Sequence, residues 1–287
     1  MNKLAIGSAQ FGLDYGIAND NGIVKSAEVK NILTAATSLG IDTIDTAHSY
    51  GISEHVLGKI GIGSFKIITK TSEIEKGIDI VKRNFYQSLK NLKINQIDGL
   101  LVHNFSDVFD SNFSSLYNWL IEIKSQKIVK KIGFSVYDPQ DVNFLLKNFD
   151  FDIVQTPLNI IDRRLLHYDI LNLLSKSSVE VHIRSIFLQG LLLIPHKALP
   201  SKFRLWDKLW IHWESWLKEN NLSPIEGCLS FIRDIDGLSR VVLGFHNSAQ
   251  LKETNNFLNL KNSKVSFPDD LCSFDENLIH PFNWSKL

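Results

Sequence analysis

Four side chains whose chemistry suits the reduction of a carbonyl group occur in order along the chain, at or near the ends of predicted strands. They are Asp45, Tyr50, Lys70 and His103. When a carbonyl carbon accepts hydride, negative charge develops on its oxygen, and a proton donor within hydrogen-bonding reach stabilises and then quenches that charge. Tyrosine is a poor donor at neutral pH because its pKa is about 10, but a nearby ammonium group lowers that pKa. These four residue types together indicate proton transfer to a carbonyl oxygen.

Short apolar segments alternate with longer amphipathic segments along the whole sequence. The apolar segments predict eight strands, at residues 4–8, 41–45, 65–69, 97–102, 131–135, 151–156, 179–183 and 240–243. Between strands, apolar residues recur at helical spacing, as at Ile78, Val81, Phe85 and Leu89. Eight strand–helix units in one chain of 287 residues predict a single-domain α/β fold, the (β/α)8 or TIM barrel, over residues 1–287. We expect the tail from about residue 260, which has little periodicity, to pack on or over the barrel.

A doubly wound sheet is the alternative arrangement of alternating strands and helices. Its dinucleotide-binding form carries the pattern G-x-G-x-x-G between a strand and a helix. The nearest match here is Gly-Lys-Ile-Gly-Ile-Gly at 58–63, which lacks that spacing and follows a predicted helix. The sequence therefore favours the barrel.

The barrel would bring the four candidate side chains together. In such barrels the active site is built at the carboxyl ends of the strands and in the loops that follow them. Asp45 ends the second predicted strand, Lys70 follows the third, and His103 follows the fourth. Tyr50 lies in the loop after the second strand. We therefore expect all four side chains to converge on one rim.

The composition gives no sign of a charged partner. Lysine and arginine (31) balance aspartate and glutamate (31), and the pI is about 7.1, so nothing favours nucleic-acid binding. Cys228 and Cys272 have neither a C-x-x-C spacing nor a nearby histidine pair, which argues against disulfides and structural zinc. No apolar run reaches the roughly 18 residues of a membrane span. We expect a cytoplasmic protein with no metal and no nucleic-acid or membrane partner.

The region around the second strand carries short motifs in a fixed order. They are Ile-Asp-Thr-Ala at 44–47, Tyr-Gly at 50–51, Ser-Glu at 53–54 and Leu-Gly at 57–58. In this run, and in Lys70 and His103 beyond it, the chain resembles the aldo-keto reductase family. The resemblance implies that Tyr50 is the general acid and that Lys70 lowers the pKa of Tyr50. It also implies that Asp45 holds Lys70 in place and that His103 orients the carbonyl.

The resemblance further implies a reduced nicotinamide cofactor, bound without a Rossmann domain. Ser135 and Gln155 match the family's partners of the carboxamide, although Val136 stands where the family usually has asparagine. The loop after the seventh strand looks like the family's pyrophosphate loop and supplies Phe187, Gln189, Gly190 and Leu192. The segment at the eighth strand is similar to the family's adenosine site and supplies Gly244, His246, Gln250, Lys252 and Glu253.

The choice between the two nicotinamide cofactors rests on the adenosine end. Family habit favours NADPH. His246 and Lys252 are the only candidates here for binding a 2′-phosphate, because the basic residues that many family members use are absent from the start of this segment. NADH therefore stays open as the alternative.

The substrate is the point at which the sequence says least. The stretches 7–13 and 184–190 resemble a bacterial subgroup often associated with polysaccharide or modified-sugar pathways, which suggests a sugar carbonyl. A second hypothesis is a non-catalytic protein on the same barrel that senses nicotinamide or binds a partner, like the channel-associated relatives of this family. A third is a metal-dependent hydrolase that uses Asp45 and His103, for which the sequence offers no further convincing ligands.

Overall fold

The computed structural model describes residues 2–260 and 265–287, in which strands and helices alternate along the chain. Each of the eight predicted strands is present, with bounds within two residues of the prediction. The strands are β1 Leu4–Gly7, β2 Thr43–Asp45, β3 Lys66–Lys70, β4 Ile97–Val102, β5 Val129–Ser135, β6 Ile153–Pro157, β7 Glu180–Arg184 and β8 Arg240–Gly244.

Helices follow the strands on the outside of the sheet. The α-helices of the described residues are α1 Ser26–Ser38, α2 Ser53–Ile60, α3 Ile78–Leu92, α4 Phe113–Ser125, α5 Asp141–Asn148, α6 Arg164–His167, α7 Ile170–Lys176, α8 Asp207–Glu219, α9 Pro224–Arg233, α10 Ser248–Asn259 and α11 Glu276–Ile279. Short 3-10 segments occur at Ala9–Phe11, Ile74–Lys76, Phe105–Phe109, Leu188–Leu193, His196–Ala198, Ser201–Trp206 and Pro281–Lys286.

The strands close into a barrel in the order in which they occur. Each is parallel to the next, and β8 returns to β1, so that Ile6 pairs with Ile44 of β2 on one side and with Leu243 of β8 on the other. The predicted (β/α)8 barrel is confirmed, and the doubly wound alternative is wrong. Because all the strands are parallel, their carboxyl ends and the loops after them lie at one end of the barrel.

Apolar side chains of strands and helices meet in one core. Ile6 and Ile44 on the strands are fully buried, and Val81, Phe85 and Leu89 form the buried stripe of α3 in the same core. This stripe is the helical periodicity that the sequence shows, and its burial stabilises α3 against the sheet. The helix ends where Lys93 adopts the left-handed conformation, with φ of 56°.

The tail packs against the loop after β6, near the carboxyl end of the barrel. The Ser273 amide donates to the Ile161 carbonyl at 2.8 Å, and Arg163 donates to the Leu271 carbonyl at 3.0 Å. Further along, the Trp284 indole is 6% exposed and donates to the Leu278 carbonyl at 2.9 Å. These contacts bring the end of the chain to the side of the barrel that carries the candidate site.

Candidate active site

Two glycines hold the loop that carries Tyr50 against the loop after β1. A Cβ added to Gly12 would lie 2.1 Å from the Tyr50 carbonyl oxygen, and one added to Gly51 would lie 2.3 Å from the Gly12 carbonyl oxygen. Gly51 also has φ of 56°, in the left-handed region that favours glycine. Because neither residue has a side chain, the two loops touch backbone to backbone, and this contact fixes the position of Tyr50.

The Ser-Glu pair after Tyr50 ties α2 to the neighbouring strands. Ser53 Oγ donates to the Ser8 carbonyl at 2.9 Å, and Thr69 Oγ1 donates to the Glu54 carboxyl group at 2.9 Å. Glu54 is 3% exposed, and burial raises the pKa of its carboxyl group. The pair therefore has a structural role, which is to lock the Tyr50 loop between β1 and β3.

A buried ion pair lies beneath Tyr50. The Lys70 ammonium donates to Asp45 Oδ1 at 2.7 Å and to the Thr46 carbonyl at 3.0 Å, and the two charged side chains are only 1% and 4% exposed. Gln155 Nε2 donates to the other Asp45 oxygen, Oδ2, at 2.7 Å. Both carboxylate oxygens are thus satisfied, as a buried charge requires.

The Tyr50 ring lies close to the ion pair and to His103. The Lys70 ammonium is 5.1 Å from the centre of the Tyr50 ring, and the His103 ring is edge-on at a centroid distance of 6.3 Å. Burial, and next the Asp45 carboxylate, raise the pKa of Tyr50 above its usual value. The net pKa of Tyr50 is therefore raised because burial dominates, and the lowering of this pKa by Lys70 stays a prediction. Tyr50 consequently keeps its proton at neutral pH.

His103 is a neutral imidazole. Burial lowers the pKa of His103 to about 3, and the nearby charges of Lys70 and Arg184 act in the same direction. Its backbone N–H donates to Thr71 Oγ1 at 3.2 Å, which anchors the residue directly after β4. A neutral imidazole carries one N–H donor, so His103 can give a hydrogen bond without carrying a charge.

A cavity of about 300 Å3 opens beside Asp45 and Tyr50 at the carboxyl end of the barrel. Its walls come mainly from the loops after β1, β7 and β8. Six of the predicted cofactor residues line it, namely Phe187, Gln189, Gly190, Gly244, His246 and Gln250.

The loop after β7 is strained and is bonded to the loop after β1. Ser185, Leu188 and Gln189 have positive φ values of 62°, 45° and 53°, a conformation that costs free energy for residues other than glycine. The Gln189 carbonyl accepts the Ile17 N–H at 2.9 Å. Gly190 also packs closely against the loop after β1, because an added Cβ would lie 2.8 Å from the Ala18 Cβ.

Five predicted cofactor residues do not line the cavity, and three of them, Leu192, Lys252 and Glu253, lie away from it. Lys252 and Glu253 are exposed on α10, where the buried residues Leu251 and Thr254 face inward. Lys252 instead borders a separate shallow depression with residues of α1. Leu192 is 1% exposed and packs in the core, with its carbonyl accepting the indole N–H of Trp213 at 3.2 Å. The exposure of Lys252 and Glu253 follows from the geometry of α10, because successive side chains on a helix point about 100° apart.

Ser135 and Gln155 lie behind the cavity at the ends of β5 and β6, and they pair with one another across the two strands. Gln155 is fully buried, and its Oε1 atom has no hydrogen-bond partner within the described residues. An orphaned buried acceptor carries a free-energy cost unless a donor reaches it. The amide N–H2 of a nicotinamide carboxamide is such a donor, so these residues fit that group.

The far end of the cavity is not basic. Burial lowers the pKa of His246, whose Nδ1 atom is buried without a partner in the part of the chain described. Nearby, the amide of Ser248 at the start of α10 donates to Glu28 Oε1 at 2.7 Å. Hydrogen bonds from Asn31 and then Ser248 lower the pKa of the Glu28 carboxyl group, which keeps it charged. A carboxylate therefore already occupies a helix N-terminus that would suit a phosphate.

The sequence reasoning missed several residues around Tyr50. Gln10, Tyr15 and Arg184 line the cavity, and Tyr137 stacks on Arg184. Only Arg184, as the last residue of a strand, carried a signal that could have identified it. The aromatic residues lie in loops of no particular pattern, and only the folded chain brings them together.

Residues 2–260 and 265–287 contain neither a membrane-spanning helix nor a metal-binding cluster. No helix there is long and apolar enough to cross a lipid bilayer. No cluster of three or more histidine, cysteine, aspartate or glutamate side chains with the geometry of a metal site occurs among them.

Comparisons with known proteins agree with the barrel fold. A family model described as the aldo/keto reductase family matches residues 3–269. A solved aldo-keto reductase from Bacillus halodurans, in its holo form, superposes with a TM-score of 0.72 at 18% identity, covering 92% of this chain and 88% of that one. A protein of Pseudomonas aeruginosa assigned to the same class gives 0.65 at 19% identity, covering 90% and 89%. At such identities the structural likeness concerns the fold alone. No curated protein sequence matches the chain.

Proposed function

The chain belongs to the aldo/keto reductase family, and on that premise we propose that it is an NAD(P)H-dependent oxidoreductase that reduces an aldehyde or ketone to an alcohol. The observation that carries the proposal is the protonated Tyr50 phenol, which lies close to the neutral His103 ring and to the buried Lys70–Asp45 pair at one end of a cavity. Reducing a carbonyl requires a proton donor at a concave site of this kind. A small carbonyl compound as partner and a cytoplasmic location remain our predictions.

In the proposed reaction, reduced nicotinamide supplies the hydride. The substrate oxygen lies against Tyr50 Oη and the His103 ring, and His103 polarises the carbonyl by donating its N–H. Tyr50 gives its proton to the oxygen as negative charge develops there. The Lys70 ammonium, 5.1 Å from the ring centre, then stabilises the tyrosinate until solvent returns the proton.

The cofactor would occupy the cavity, with its carboxamide towards Gln155 Oε1 and the Ser135 hydroxyl. NADPH is the first candidate by family habit, and NADH is the alternative. The geometry bears on this choice because Glu28 places a charged carboxylate at the start of α10, and His246 is neutral. Both features weigh against a 2′-phosphate and keep NADH open.

Tyr50→Phe tests the proposal, because it removes only the hydroxyl group that donates the proton. We expect turnover to fall by about 100- to 10 000-fold, the usual contribution of a general acid. Cofactor affinity, followed by quenching of tryptophan fluorescence, should stay within about twofold. Tyr117→Phe is the matched control, since the Tyr117 hydroxyl bonds to the Asp150 carbonyl on the outer surface.

The same experiment distinguishes the reductase from the non-catalytic alternative. A protein that only senses nicotinamide would bind NADPH or NADH but would oxidise neither with any aldehyde, and Tyr50→Phe would change nothing. If neither cofactor bound at sub-millimolar concentration, the reductase proposal itself would be refuted at its first step.

A further inference from the structure

Arg184 is a cation that faces the candidate active site, and in the described part of the chain it has no counter-ion. It ends β7, is half-buried, and lines the cavity together with Tyr50. Within residues 2–260 and 265–287 no carboxylate oxygen lies within 4.0 Å of its guanidinium nitrogens. By contrast, Arg164 and Arg240 pair with Asp162 and Asp42. A cation that the fold leaves unpaired beside a cavity suits an anionic ligand.

The Arg184 side chain is held firmly in place. Its Nη2 atom donates to the Val136 carbonyl at 3.0 Å, and its Nη1 atom donates to Ser185 Oγ at 3.2 Å. The guanidinium lies 4.0 Å from the centre of the Tyr137 ring. Tyr137 is itself packed by Phe282 of the tail, at a centroid distance of 4.7 Å. The stack fixes the guanidinium before any ligand arrives, so little conformational entropy remains to be lost on binding.

Arg184 has hydrogen-bond donors to spare. A guanidinium carries five N–H donors in a planar fork, and within the described residues the protein accepts from only the two nitrogens named above. A carboxylate matches the fork with two parallel hydrogen bonds, which are shorter and stronger than bonds between neutral groups. The free donors can therefore recognise a carboxylate directly.

The charge of Arg184 acts at the Tyr50 end of the cavity. Its charge opposes the rise that burial causes in the pKa of Tyr50 and adds to the fall that burial causes in the pKa of His103, the two groups that would flank the carbonyl oxygen. Burial raises the pKa of Tyr15 as well, and the charge of Arg184 partly opposes that rise. At the other end of the cavity, His246 responds to burial and to Asp14 and not to Arg184. An anion bound by Arg184 would therefore lie beside the reacting carbonyl.

We propose that Arg184 binds a carboxylate on the substrate, so that the preferred substrates are oxo acids, meaning aldehydes or ketones that carry a carboxylate on the same small molecule. This inference rests on the proposed reductase function and narrows its substrate class. The carboxylate takes no part in the chemistry, and its role is to orient the carbonyl towards Tyr50 and His103.

The test compares charged and neutral versions of the same aldehyde. The first pair is 4-oxobutanoate and its methyl ester, and the second is 4-carboxybenzaldehyde and its methyl ester. For wild-type protein with its preferred cofactor, we expect kcat/KM for at least one acid to exceed that for its ester by about tenfold or more. In Arg184→Met this ratio should fall by about ten- to a hundredfold, which corresponds to roughly 1.4–2.8 kcal/mol. Arg184→Lys, which keeps the charge but not the fork, should lie between them.

Arg204→Met is the control, because Arg204 is exposed on the surface and does not line the cavity. An acid-to-ester ratio that is the same in wild type, Arg204→Met and Arg184→Met would overturn the inference while leaving the reductase function intact. The inference would also be overturned if Arg184→Met lost affinity for NADPH and NADH but kept the acid-to-ester ratio of wild type. The anion bound by Arg184 would then be the pyrophosphate of the cofactor.

A binding measurement keeps the inference testable if turnover is absent. Calorimetric titration of the protein and its oxidised cofactor with 4-(hydroxymethyl)benzoate and with its methyl ester should show a preference for the acid in wild type. Arg184→Met should lose that preference. If wild type preferred neither compound and no acid was reduced faster than its ester, no carboxylate site would exist.

Discussion

Lys70→Met should destabilise the protein strongly, because it leaves the Asp45 carboxylate buried without its counter-ion. The two side chains are 1% and 4% exposed, with Nζ and Oδ1 2.7 Å apart. Removing one partner of such a pair typically costs about 3–5 kcal/mol. At roughly 2.1 cal/mol/K of unfolding entropy per residue, the 287 residues give about 0.6 kcal/mol/K, so the melting temperature should fall by about 5–8 K.

The double variant Lys70→Met/Asp45→Asn separates the loss of the charge pair from the loss of packing. It removes both charges and keeps the side-chain volumes, so it should recover more than half of the lost stability. Lys130→Met is the control, because Lys130 pairs with Asp98 at 2.8 Å but is 53% exposed. Exposed pairs contribute about 0–1 kcal/mol, so its melting temperature should change by less than about 2 K.

Differential scanning calorimetry of the three variants measures these shifts. If Lys70→Met melted within about 2 K of wild type, the ammonium would not be required to balance a buried carboxylate. If the double variant were less stable than Lys70→Met, the loss would come from packing or hydrogen bonds, and the electrostatic explanation would be refuted.

Three further predictions follow from the site. Burial lowers the pKa of His103 to about 3, whereas in the unfolded chain this histidine binds its proton near pH 6.5. The free energy of unfolding should therefore fall as the pH drops from about 6.5 towards 3. His103→Gln should make the melting temperature less dependent on pH over that range. Gly51→Ala should lower the free energy of unfolding, measured in urea, by about 1–3 kcal/mol. Gly61→Ala should lower it less, because Gly61 also has a positive φ but an added Cβ there would meet no atom within 4 Å. Equal losses of stability would show that the contact between Gly51 and Gly12 is unimportant. Glu28→Gln should raise the affinity for NADPH severalfold relative to that for NADH in a fluorescence titration, because it removes a negative charge and keeps the hydrogen bond from Ser248. The control Glu122→Gln on α4 should leave the ratio of the two affinities unchanged. An unchanged ratio in Glu28→Gln would mean that the adenosine binds elsewhere.

The barrel could be predicted because its strands and helices are marked by local pattern. Each parallel strand is a short apolar run, and each helix, like α3, shows its buried stripe in sequence. Strand ends then indicated where Asp45, Lys70 and His103 would meet, since one end of a parallel barrel collects them.

The environment of these residues could not be predicted in the same way. The raised pKa of Tyr50 depends on burial and next on the nearby Asp45 carboxylate, and both are consequences of packing. The exposure of Lys252 and Glu253 could not be predicted, because matching them by position does not show which face of α10 is buried. The Arg184–Tyr137 stack joins β7 to the loop after β5, so only the closed barrel reveals it.

The contact between Gly12 and Gly51 restricts how this barrel can be redesigned. Barrels of this shape support many chemistries by variation of the loops after their strands, so exchanging a single loop is an obvious way to change specificity. Here the backbones of two loops occupy each other's side-chain space, with an added Cβ on either glycine within 2.3 Å of an atom of the other loop. A grafted loop after β1 would displace the tyrosine after β2, so the two segments must be transplanted as one unit.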